Sequence, residues 1–132
     1  DLKGRARAAD LAVAAQKKRS IEWASENFPP KWERPLLLAL IKNILDRGFG
    51  ISIDLEGEPL LQYSVDLDEI VQNLASGDCE EVFIRTKDKI HGWFSLIYNN
   101  GSEHDPMVVI SDYSDNELCN EIISDIEEEI AS

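Results

Sequence analysis

The sequence predicts an α+β domain, an antiparallel sheet of about five strands covered by helices on one face, in the order ααββαβββα. Three observations carry that expectation. Residues 36–45 repeat apolar side chains at helical spacing, the period switches to two from Phe49 onward, and turn chemistry separates each alternating run from the next. At 132 residues, 43% of them hydrophobic, the chain suffices for one domain with its own core. The expected organisation is a single unit, residues 1–132, with a basic N-terminal helix over residues 1–28 at its periphery and a compact body over residues 33–132.

Residues 3–26 are Ala-rich and unbroken by Gly or Pro after Gly4, so they are expected to be helical. Their apolar stripe (Leu11, Ala14, Ala15, Ile21, Ala24) is thin, and Phe28-Pro29-Pro30 must end the helix. In the next helix Pro35 suits the first turn, and Leu37, Leu40, Ile41, Ile44 and Leu45 make a buried face. Gly48 closes it. Phe49, Ile51 and Ile53 then alternate with Gly50, Ser52 and Asp54, and after Glu56-Gly57-Glu58-Pro59 the alternation resumes at Leu61, Tyr63 and Val65. This predicts a hairpin. Asp66 with Glu69 reads as a capping box before Leu67, Ile70, Val71 and Leu74, a short helix ending near Gly77. Residues 81–86 and 90–98 read as two strands joined by Lys87-Asp88-Lys89, and Asn99-Asn100-Gly101 as a turn. Residues 107–110 are expected to be a short apolar strand. Ser114 with Glu117 reads as a second capping box, opening a last helix with Leu118, Ile122, Ile126 and Ile130 inward.

Charge is the most informative compositional feature. Residues 1–48 hold ten basic and six acidic side chains, a net of +4, whereas residues 49–132 hold three basic and 20 acidic, a net of −17. Such asymmetry steers association with charged partners. The longest apolar run, residues 36–41, is far short of a bilayer span, so no membrane is expected. The charged, Met-less start has no apolar secretory core, and we read it as a mature or trimmed end. Cys79 and Cys119 match no metal spacing and are expected to be reduced, which favours the cytoplasm.

Motifs for chemistry are missing. There is no Gly-x-Ser-x-Gly, no phosphate-cradling glycine loop and no Cys-His signature, so no enzyme and no cofactor is expected. Glu103-His104-Asp105 are adjacent residues of a polar loop and do not converge on one ion, and residues 112–117 lack the glycine of a calcium loop. No metal is expected either. Clustered carboxylates leave a small metal-dependent hydrolase or nuclease as an alternative.

The expected partner-binding surface is the acidic last helix with its preceding corner: Asp112, Tyr113, Asp115, Glu117, Glu121, Asp125, Glu127, Glu128 and Glu129. Carboxylates at a helix C-terminus oppose the macrodipole, a small cost that points to use beyond solubility. Trp93 and Tyr113 join this surface if both lie on the sheet face opposite the helices. In the basic first helix, Arg5, Arg7, Lys17, Lys18 and Arg19 are the contact candidates. No recognition motif accompanies them and the acidic body repels a duplex, so direct nucleic-acid binding is disfavoured. Docking on the acidic body of the same or another copy, and thus a homo-oligomeric assembly component, is the second alternative.

The run His91-Gly92-Trp93-Phe94-Ser95-Leu96-Ile97-Tyr98-Asn99-Asn100-Gly101, followed by Val109-Ile110-Ser111-Asp112-Tyr113 and Asn116, resembles small bacteriophage and prophage proteins of unknown function. The resemblance covers the last third of the chain, and residues 102–106 lengthen the turn relative to that pattern. It carries over no catalytic residue. It implies a phage accessory protein, acting in the host cytoplasm, that binds and inhibits a basic or nucleic-acid-binding host factor. The combined expectation is a non-enzymatic acidic interaction protein with a basic protein partner.

Overall fold

The structure, a computed structural model, describes residues 21–131. It is α+β, with three α-helices among the described residues and one antiparallel sheet of five strands. The elements are α1 (Arg34–Asp46), β1 (Gly50–Leu55), β2 (Glu58–Ser64), α2 (Leu67–Asn73), β3 (Cys79–Arg85), β4 (Ile90–Ile97), a 3-10 turn (Pro106–Val109), β5 (Ile110–Tyr113) and α3 (Glu117–Ala131). The sheet order is β2-β1-β3-β4-β5.

Alternation divides the sheet into two unlike faces. Ile51 and Ile53 of β1, Val82 and Ile84 of β3, and Phe94 and Leu96 of β4 all point to one side and are fully or almost fully buried. Against them pack Leu36, Leu37, Leu40, Ile41 and Ile44 of α1, Ile70 of α2, and Cys119, Ile122, Ile123 and Ile126 of α3, forming one core. The opposite face carries Asp54, Glu81, Phe83, Arg85, Trp93 and Ser95, all half-buried or exposed.

Several local expectations hold. Pro35 lies in the first turn of α1, and Gly48 follows its end at φ +90°, a conformation that favours glycine. The first hairpin turns through Glu56 (φ 50°) and Gly57 (φ 83°). Positive φ at both centres matches the twist of the flanking strands. Asp66 caps α2, its Oδ1 accepting from the Asp68 amide at 3.0 Å.

Three expectations require correction. Most of the helix expected over residues 3–26 lies outside the described residues, but residues 21–26 are not helical. Carbonyls of this stretch are engaged elsewhere: Arg34 donates to those of Ser25 and Glu26 at 3.2 and 2.8 Å and to that of Pro29 beyond it at 3.0 Å, its guanidinium lies over Trp23, and Gln72 donates to the Glu22 carbonyl. The apolar run after Pro106 is a 3-10 turn, and the strand follows it at Ile110–Tyr113. A four-residue apolar run has no period of its own, and proline favours the start of a helical turn. Finally, Asn116 caps α3, its Oδ1 accepting from the Cys119 amide at 2.8 Å. Ser114 is occupied instead at the β4–β5 junction, where its hydroxyl accepts from the Trp93 amide at 2.9 Å and meets Cys119 Sγ at 3.1 Å.

That junction explains Gly92. A Cβ there would sit 2.6 Å from Cys119 Sγ and 3.0 Å from Ser114 Oγ. Cys119 is fixed in the first turn of α3 and Ser114 Oγ by the Trp93 amide, so Gly92→Ala is expected to lower stability by about 1–3 kcal/mol through overpacking. Urea denaturation checks this, and an unchanged midpoint would show that α3 can shift away.

Two acidic side chains are buried as anchors. Glu33, with no exposed surface, accepts from the amides of Asn99 (2.8 Å) and Gly101 (3.1 Å), pinning the turn after β4 to the start of α1. Glu80 accepts from the amides of Ala75 and Ser76 and from the Tyr98 hydroxyl.

Candidate functional site

An acidic surface runs along the outer side of α3. The fifteen-residue helix buries Cys119, Ile122, Ile123 and Ile126. That spacing leaves Glu117, Glu121, Asp125, Glu127, Glu128 and Glu129 exposed. No basic residue stands in the last turn, where Glu127, Glu128 and Glu129 oppose the helix dipole. Asp115, in the corner leading to α3, is exposed too.

Part of this charge is answered internally. At the end of α1, Arg47 pairs with Glu121 at 3.1 Å and Asp125 at 2.7 Å, while Asn43 donates to Asp125 at 3.2 Å. The hydrogen bond from Arg47, and then that from Asn43, holds the Asp125 carboxyl below its ordinary value; Asp125 in turn raises the Arg47 guanidinium. Because Asp125 is lowered, its preference for the folded state is complete above the ordinary aspartate value and fades as pH falls through the lowered one. Glu121 and Asp125 therefore fasten α3 to α1, and the outward row available to a partner is Glu117, Glu127 and Glu128.

The expected aromatic companions separate. Trp93 faces Phe83 across the β3–β4 pair, on the open side of the sheet. Tyr113 is opposite Phe94 on the core side, their ring centroids 6.0 Å apart. The register places Asp112 opposite Ser95, so Asp112 and not Tyr113 shares the open face with Trp93. The joint Trp93–Tyr113 patch is thus overturned by the parity of one strand pairing. Arg5, Arg7, Lys17, Lys18 and Arg19 lie outside the described residues.

A second feature escaped the motif search. On the open face near β2, a groove of about 290 Å³ is lined by Ser52, Asp54, Pro59, Leu61, Gln62, Tyr63, Arg85 and Lys87. Tyr63 packs over Gly50, where any Cβ would collide with its ring. Arg85 stands across from Gly50 in the β1–β3 ladder. Its Nε is enclosed by protein and has no hydrogen-bond partner. A usable signal was present in the sequence, since Arg85 and Lys87 are two of the three cations in residues 49–132.

Among the described residues no hydrogen bond joins a cysteine to a histidine side chain. Cys119 is buried against Ser114, Cys79 is exposed at the start of β3, and both are free thiols. His91 stacks on Phe49 at 5.1 Å and its Nε2 meets the Thr86 hydroxyl at 3.2 Å; His104 is exposed in the loop before the 3-10 turn. Among the described residues no three His, Cys, Asp or Glu side chains are grouped to hold a metal ion. No helix among them is long and apolar enough to cross a membrane. No protein-family model, curated protein or solved structure matches the chain.

Proposed function

We propose that this chain is a non-enzymatic interaction protein whose acidic α3 surface binds a basic protein. The observation that carries this reading is the split of the acidic row. Glu121 and Asp125 are spent on Arg47, while Glu117, Glu127 and Glu128 project outward with Asp115 beside them. Fixed carboxylates along a rigid helix suit a complementary patch of Arg and Lys, of the kind carried by nucleic-acid-binding proteins. Such a contact is screened by salt, since the Debye length is only about 10 Å at 0.1 M.

The test is capture from a cell lysate by the full chain and by a Glu117→Lys/Glu127→Lys/Glu128→Lys variant, at two salt concentrations, with the bound proteins identified by mass. The expected result is a set of basic proteins retained at low salt, with the variant's affinity for them reduced by about tenfold or more. Equal retention by both forms would remove α3 from the interface.

A further inference from the structure

We infer that the groove between β2 and β3 on the open sheet face is a binding site for a small ligand bearing an oxyanion, a phosphate or carboxylate group held by Arg85 and Lys87. This site is separate from the α3 surface and stands independently of the partner proposed for it.

Residues 49–132 hold twenty carboxylates and three cations, so an arginine there is expected to find an acidic partner. Among the described residues the Arg85 side chain has none: no ion pair and no side-chain hydrogen bond engages it, and its Nε is enclosed without an acceptor. A donor with no acceptor on the protein is matched by ordered water or by a ligand oxygen, and the charge beside it favours an oxyanion over water. Lys87 lines the same groove two residues further on. A planar guanidinium presents donors in a fork that fits two oxygens of one oxyanion, and an ammonium adds a mobile point charge.

The rest of the lining fits a small ligand. Tyr63 provides an aromatic wall, and Ser52 and Gln62 provide neutral polar groups. The volume, about 290 Å³, is at the small end of ligand pockets. Asp54 also lines the groove and would repel an anion. It lies four residues along β1 from Gly50, the partner of Arg85, which is roughly 13 Å of extended chain. The groove is therefore polarised, with its cationic end at Arg85 and Lys87 and its anionic end at Asp54. An oxyanion belongs at the first end only.

The experiment is a titration of the full chain with inorganic phosphate and, separately, with acetate, at constant ionic strength set by chloride. The Arg85 Nε–Hε correlation and the Tyr63 ring resonances are followed by NMR. Saturable shifts of both are expected with at least one anion, and whichever anion saturates identifies the source as phosphate or carboxylate. Arg85→Gln and, separately, Lys87→Gln are expected to weaken that binding, the former by about tenfold or more. Lys87 is exposed, so its variant keeps the test valid if Arg85→Gln perturbs the sheet. Linear shifts that chloride reproduces, or saturation unchanged in the Lys87→Gln variant, would overturn the site.

Discussion

Glu33→Ala is expected to destabilise the protein by roughly 2–4 kcal/mol, because it takes the fully buried acceptor away from two backbone donors. The carboxylate is fully buried, and each oxygen has its own amide, Oε1 that of Asn99 and Oε2 that of Gly101. Asn99 is held at φ 60°, a conformation uncommon for a residue with a side chain, and the two bonds help to hold it there. The turn also sets the path of residues 102–109 into β5, so its loss should reach the β4–β5 pairing. Glu33→Gln retains one acceptor but turns an NH2 group toward the second amide, and its loss should be about half as large. Urea unfolding of the three proteins checks the order, with alanine lowest and glutamine between. A loss below about 1 kcal/mol for alanine would mean that water reaches the turn.

How much of this was legible in the sequence depends on the range of the interaction. The helical stripe of α1, the alternation of β1 and the Glu56-Gly57 turn are local rules, and each appears in the fold where the pattern puts it. Asp66 is also local, since a capping side chain reaches only two or three residues ahead. Failures begin where a residue answers to a distant partner. Ser114 has the right chemistry to cap α3, but the Trp93 amide, 21 residues away, claims its hydroxyl. Tyr113 ends a short strand and could face either way until the β4–β5 register is known. Glu33 reads as one more carboxylate near a proline, because Asn99 and Gly101 are 66 and 68 residues downstream. The acidic character of α3 was plain from composition. Its division into residues that fasten the helix and residues that face outward needed Arg47, which is 74 residues from Glu121 and 78 from Asp125.

Glu80 and Tyr98 should make stability fall with pH in two separate windows, and Tyr98→Phe should alter both. The Tyr98 hydroxyl donates to Glu80 Oε1 at 2.6 Å, and the same carboxylate accepts from the Ala75 and Ser76 amides at 2.7 and 2.9 Å. Burial pushes the Glu80 carboxyl above its ordinary value, more than the bonds from Tyr98, Ala75 and Ser76 draw it down. Below that ordinary value, near 4.5, its contribution to stability is complete; it is lost as pH rises through the raised value, where the folded state must give up a proton it holds more tightly than the unfolded chain. For Tyr98, burial and then the neighbouring Glu80 charge push the phenol well above its ordinary 10.0. The folded protein keeps this proton while the unfolded chain releases it, so stability declines again above about pH 10. Tyr98→Phe removes the bond that most lowers Glu80, so the acidic window should extend to higher pH while the alkaline slope shrinks. At neutral pH the same variant should cost about 1.5–3 kcal/mol, the range for a hydrogen bond to a charged group. Glu80→Ala should cost more, roughly 3–5 kcal/mol, since it leaves two amides and a buried hydroxyl without an acceptor. Ala75 at φ 58° would then lose the bond that secures its backbone. Urea midpoints of the three proteins between pH 4 and 11 distinguish these effects. A parent profile with no alkaline slope, or a Tyr98→Phe profile parallel to the parent across the whole range, would show that the hydroxyl and the carboxylate titrate independently.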